Sequence, residues 1–189
     1  MANRLTKIYT RTGDDGTTGM ADGSRVSKDD LLVHAIGEVD ELNSQLAVLA
    51  SHVSDDFVND IKIIQNELFN VGAELTMNEA MIKQENIDWL ENALDVLNAE
   101  LPVLKEFILP GGGLAASHCH VARSVCRRVE RSLVSLDNQL GNQSNNQGLN
   151  NSLKAYINRL SDYLFVLARA ISKAEGKSEV YWQSARLKQ

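Results

Sequence analysis

HCHVARSVCRRVER, residues 118–131, carries Arg123, Arg127, Arg128 and Arg131, with Glu130 between the last two. Wound as a helix, the segment turns by roughly 100° per residue. Arg123, Arg127 and Arg131 then form one row, with His120 and Glu130 close to the same line. Val125, Val129 and Leu133 occupy the opposite side, with Cys126 at its edge. Arg128, about 100° from Arg127, has the weakest geometric claim to join the row. Such a helix buries one face and turns several guanidinium groups outward. Two readings follow: a solvated charged face with i,i+4 pairing, or a place for a polyanion in a chain whose net charge is −6.

Working outward, helical periodicity dominates. LLVHAIGEVDELNSQLAVLASH (31–52) repeats Leu32, Ile36, Val39, Leu42, Leu46 and Leu49 at three- and four-residue steps, with Asp29 or Asp30 as N-cap. Further helices are predicted over about 55–75 and 86–100, separated by a polar connection at 76–86. LPVLKEFILPGGG (101–113) breaks the pattern with two prolines and three glycines. The arginine helix then spans 114–136, and NQLGNQSNNQGLNN (138–151) is a polar, low-complexity turn. A last helix runs over 152–175 and stops at Gly176. The fold class is all-α: a five-helix bundle with ferritin-like packing and an irregular Gly-rich N-terminal arm. The chain divides as a single 1–189 domain, with the arm at 1–30, the bundle at 31–175 and a polar tail at 176–189.

Composition agrees. Two prolines and 5% aromatics favour long helices over a many-stranded sheet. The acidic balance argues against general nucleic-acid or anionic-membrane binding, without excluding a local basic pocket. MANRLTKIYT has no apolar signal core, and no run of about 18 apolar residues occurs, so the reading is cytoplasmic. Cys119 and Cys126 lie two turns apart, about 10 Å along a helix, too far for a local disulfide.

Three segments carry chemistry-bearing residues. TRTGDDGTTG (10–19) combines glycines, which open backbone amides to an anion, with threonine hydroxyls, and Arg11, Arg25 and Lys28 add charge. It lacks the GxxxxGK[ST] spacing, so a flexible turn remains the alternative. GEVDELN (37–43) sets Asp40 where it can pair with an arginine of the 118–131 helix. INRLSDYLFVLAR (157–169) places Asn158, Asp162, Phe165 and Arg169 on one face, either a buried hydrogen-bond network or a ligand site. His34, His52, His118 and His120 form no HExxH arrangement, and no GxSxG occurs.

Together, YTRTGDDGTTG (9–19), RVSKDD (25–30), GEVDELN (37–43), LKEFILPGGG (104–113), HVARSVCRRVER (120–131) and INRLSDYLFVLAR (157–169) resemble, in order, the motifs of the PduO-type ATP:cob(I)alamin adenosyltransferases. The resemblance implies a homotrimer with active sites between subunits. It implies ATP contacts from Thr10, Arg11, Thr12, Gly13, Thr18, Gly19 and Lys28 of the arm, from Arg123, Arg127, Arg128, Glu130 and Arg131, and from Asn158. It further implies an interface pair between Asp40 and the arginine at Arg127, Phe107 against the lower face of the corrin, and Asp162 on the corrinoid side. Arg127, Phe107 and Asp40 would be central to the reaction. ATP and cob(I)alamin would be substrates, with Mg²⁺ on the triphosphate through ligands the sequence does not name, and a cob(II)alamin reductase would supply Co(I). Two other readings remain: a nucleotide-binding carrier that delivers corrinoid without chemistry, and a structural oligomer whose arginines pair with acidic neighbours.

Overall fold

The structure is a computed structural model that describes residues 8–142 and 148–183; residues 1–7 of the arm, 143–147 of the polar turn and 184–189 of the tail lie outside the described residues. Five helices follow in chain order: α1 (Leu31–Ala50), α2 (Asp55–Met77), α3 (Gln84–Ala99), α4 (Leu114–Gly141) and α5 (Asn151–Ala174). α4 packs against both α1 and α5, α2 against α1, and α3 against α5. The arginine helix is therefore the middle of the bundle.

The apolar stripes meet as their spacing requires. Leu42, Leu46 and Leu49 of α1, Ile61, Ile64 and Leu68 of α2, and Leu160, Leu164 and Leu167 of α5 are all buried in one core. Each such side chain contributes about 1.5–3 kcal/mol by leaving water. Asp30 caps α1, its carboxylate accepting from Leu32 N–H at 2.8 Å. Asn150 caps α5 through Ser152 N–H and donates to Ile82 O at 2.9 Å, tying the polar turn to the start of α3. Both cysteines are buried and free, each thiol donating to an α5 carbonyl, Leu164 O for Cys119 and Ile157 O for Cys126.

Most helix ends fall within two residues of expectation, and two features depart further. α4 runs five residues past the predicted stop at 136, because Leu136 is buried and Leu140 packs on the same core one turn later. The arm is not wholly irregular. Thr17–Gly19 (β1) and Arg25–Ser27 (β2) form an antiparallel hairpin with Thr18 opposite Val26. Its turn is set by Asp22, which accepts from Ser24 N–H and Oγ, and by Gly23 at φ 87°.

Candidate active site

Arg123, Arg127 and Arg131 stand at four-residue steps along α4 but differ in burial. Arg127 and Arg131 are exposed, Arg131 Nη1 donating to Arg127 O at 2.8 Å. Within the described residues the Arg127 side chain has neither a hydrogen bond nor an ion pair. Arg123 sinks toward the core, its Nε buried and without a partner among the described residues. His120 is buried, 6% exposed, and also lacks a partner at Nδ1. Burial, and secondarily the Arg123 charge, lower the His120 pKa to about 4, so it is a neutral imidazole.

Arg128 turns toward α1. It donates to Glu41 and lies 3.7 Å from Glu38. The carboxylates that meet the arginine helix inside one chain are thus Glu38 and Glu41, whereas Asp40 is exposed and pairs with nothing among the described residues. Glu38, Glu41 and Gln45 stand at i, i+3 and i+7, one row beside the apolar stripe. That spacing was the signal for these partners. Arg128, Arg131, Glu41, Gln45 and His120 line a cleft of about 570 Å³ between α1 and α4, closed at one edge by Pro110.

On the other flank of α4, Asn158 Nδ2 donates to Glu130 Oε1 at 3.1 Å. Both residues line a second cleft of about 390 Å³, together with Lys154 and Arg159. Asp162 is exposed and accepts from Arg159 Nη1 at 3.1 Å, while Arg159 Nε reaches Glu91 of α3 at 2.8 Å. The row expected on α5 therefore splits: Asn158 and Asp162 face out, Phe165 is half-buried and Arg169 is buried.

In the arm, Arg25 is already committed. It donates to Thr12 O and to Thr17 Oγ1, and sits 3.6 Å from Asp15, whose carboxyl is held low mainly by hydrogen bonds from Thr17. Thr18 and Gly19, expected in a loop, stand in β1. Thr10 and Thr12 share a hydroxyl contact at 2.9 Å, and Arg11, at φ 61°, lies over the Tyr9 ring. Lys28 is exposed and closes over Gly13, where an added Cβ would come within 3.2 Å of Nζ. Among the described residues no arm residue lines these two clefts; Val26 and Asp30 instead line a third, of about 780 Å³, with Leu136, Gln139 and Leu140 near the end of α4.

Phe107 is 75% exposed, and its ring meets Trp182 of the tail edge-on, centroids 6.3 Å apart. The loop that carries it is pressed against α5: a Cβ on Gly112 would fall 2.4 Å from Ser172 Oγ, and one on Gly113 2.3 Å from Glu175 Oε2.

A family model described as cobalamin adenosyltransferase matches residues 8–171. The chain belongs to the cobalamin adenosyltransferase family. Among its relatives, a cobalamin adenosyltransferase of Cupriavidus metallidurans is 47% identical over 98% of this chain and 99% of its own length. A corrinoid adenosyltransferase of Bacillus subtilis is 36% identical over 96% of this chain and 94% of its own length. A variant of the PduO-type ATP:corrinoid adenosyltransferase from Lactobacillus reuteri, solved with cobalamin and ATP, superposes with a TM-score of 0.84 at 34% identity, covering 94% of this chain and 100% of that one.

Proposed function

We propose that this chain transfers the 5′-deoxyadenosyl group of ATP to cob(I)alamin, giving adenosylcobalamin and triphosphate. The observation that carries the reading is the cationic surface of α4, with Arg127 exposed and, among the described residues, unpaired beside Arg131, in a chain of this family.

The chemistry asks little of the protein's own nucleophiles. Cobalt in the Co(I) state attacks C5′ with its electron pair; the Co–C bond forms, the C5′–O bond breaks, and triphosphate leaves with the electrons. No proton is abstracted, so a neutral buried His120 and two inert buried thiols are no obstacle. What the protein supplies is alignment of cobalt with C5′ and charge facing the leaving group. In this reading Arg127, Arg131 and Lys28 face the phosphates, while Asn158 and Glu130 hold the nucleotide from the α5 side. Arg123 and Arg128 back them, and Thr10, Arg11, Thr12, Gly13, Thr18 and Gly19 enclose the nucleotide. Phe107 covers the corrin's lower face, and Asp162 stands on the corrinoid side.

Mg²⁺ fits as a companion of the nucleotide. It prefers phosphate oxygens and water with one or two carboxylates, and Glu130, among the arginines, is the carboxylate that would meet it. Among the described residues no group of three or more His, Cys, Asp or Glu gathers into a metal cage.

Among the described residues no arm residue lines the clefts that hold Arg128 and Arg131 or Glu130 and Asn158, although Val26 and Asp30 share a separate cleft with Leu136, Gln139 and Leu140 of α4. This supports a homotrimer in which one subunit's arm completes its neighbour's site, with exposed Asp40 pairing across the interface to Arg127. The reading treats 1–189 as one functional unit, arm, bundle and tail together. A cytoplasmic setting with a cob(II)alamin reductase as electron donor completes it; among the described residues no helix is long and apolar enough to cross a membrane.

The test is direct. Purified full-length protein is mixed with ATP, Mg²⁺ and chemically reduced cob(I)alamin, and the absorption spectrum is followed for adenosylcobalamin. Tight ATP binding without turnover would sink the transferase reading and favour a corrinoid carrier.

A further inference from the structure

Two segments outside the helices, 101–113 and 177–183, lie side by side along the C-terminal part of α5. Ile108 and Tyr181 form an antiparallel bridge. Leu109 N–H donates to Val180 O at 2.8 Å and Trp182 N–H to Phe107 O at 2.7 Å. A pair of strands this short is marginal on its own, and Phe107, Val180 and Trp182 are all exposed. Something else must hold it.

That something is buried. Arg169 of α5 is 4% exposed. Its Nε donates to Glu179 Oε1 at 2.5 Å, and its Nη2 donates to Pro102 O at 2.7 Å. One guanidinium therefore grips both segments, the tail through a carboxylate and the loop through a carbonyl. The planar fork suits two acceptors at once, which a lysine ammonium does not reproduce. Exclusion of water strengthens both bonds. Ser172 extends the same edge, accepting at its carbonyl from Lys177 N–H at 2.9 Å.

We propose that Arg169, acting through Glu179 and the Pro102 carbonyl, positions Phe107 for the corrinoid. Arg169 touches no reacting atom, so it is a positioning residue. Releasing its grip frees the tail strand, and with it the backbone bonds that orient Phe107. The inference rests on the role given to Phe107 above.

The experiment uses the full chain in a Trp89→Phe background, which leaves Trp182 as the single indole of the two in the sequence. Arg169→Met and Glu179→Ala are compared with that parent. The expected result is a fall in Trp182 fluorescence anisotropy and a loss of about tenfold or more in kcat/KM for cob(I)alamin, the scale of a misplaced group. ATP affinity should stay within about twofold. Glu179→Ala keeps the test open if Arg169→Met does not fold, since Glu179 lies in the tail outside the helices. Unchanged anisotropy and unchanged corrinoid kinetics in a folded variant would overturn the proposal, as would a parallel loss of ATP affinity. A parent that binds corrinoid without turnover would defeat the transferase reading alone; anisotropy and corrinoid affinity would still decide the role of Arg169.

Discussion

Asn158 and Glu130, on adjacent helices, are joined by a 3.1 Å hydrogen bond at the mouth of the α4–α5 cleft. The bond fixes the amide so that its carbonyl oxygen points away from Glu130, free for a ligand donor. Asn158→Ala should raise the KM for ATP by up to about tenfold, the worth of one neutral hydrogen bond. Because Asn158 is exposed, stability should change by no more than about 0.5 kcal/mol. Nucleotide titration and urea unfolding of the same preparation check both halves.

Arg127 and Arg128 are neighbours in sequence with opposite situations. Arg128 is neutralised by Glu38 and Glu41, and both it and Glu41 are partly exposed, so the pair contributes roughly 0–1 kcal/mol to stability. Arg127 keeps its charge unspent. Arg127→Ala should lower kcat/KM by about a hundredfold or more and shift the protein toward monomer on size exclusion. Arg128→Ala should do much less to either. Equal losses would mean that the Glu38–Glu41 pair is part of the site rather than a brace.

Phe107→Ala should leave ATP affinity unchanged and slow alkylation of cobalt. Its ring touches Trp182 and otherwise faces solvent, so no nucleotide contact is lost with it. Rapid mixing of the ATP-loaded variant with cob(I)alamin separates the two steps. Full activity in this variant would remove Phe107 from the mechanism.

Gly112 has φ 96° and no room for a side chain, Ser172 Oγ standing 2.4 Å from where a Cβ would be. Gly112→Ala combines a left-handed backbone penalty with that clash and should cost about 2–4 kcal/mol. Gly111, where no atom lies within 4 Å of an added Cβ, is the matched control and should cost less than about 1 kcal/mol.

His120 makes stability depend on pH. Its pKa falls from the ordinary 6.5 to about 4 through burial and the nearby Arg123 charge. Between those values the unfolded chain binds the extra proton. Stability is therefore complete above about pH 6.5 and declines as pH falls toward 4, by about 1–3 kcal/mol from this group. His120→Gln should flatten that part of the profile; an unchanged slope would assign it to carboxylates instead.

How far residues alone reached depended on range. Helix existence followed from Leu42, Leu46 and Leu49 and their counterparts, because burial of a stripe is a local pattern. The β1–β2 hairpin escaped because three-residue strands rich in Thr and Gly leave no alternation to detect. On α1, Glu41 shares a row with Glu38 and Gln45 beside the apolar stripe, a spacing that marks it over Asp40; that this row meets α4 rather than α2 depends on how the helices pack. Arg169 looked like the end of a polar row. Its partners, Pro102 and Glu179, come from segments without periodicity, so only the folded chain brings them to one guanidinium.

The exposed Phe107 ring has a thermodynamic consequence. Phe107, Val180 and Trp182 form a patch of apolar surface that the free chain leaves hydrated. A corrin plane seated there would strip that water, and burial of apolar surface lowers the heat capacity of the complex. Corrinoid binding should therefore become more exothermic on warming. The slope of enthalpy against temperature would measure how much of the patch the macrocycle covers, without any reaction taking place.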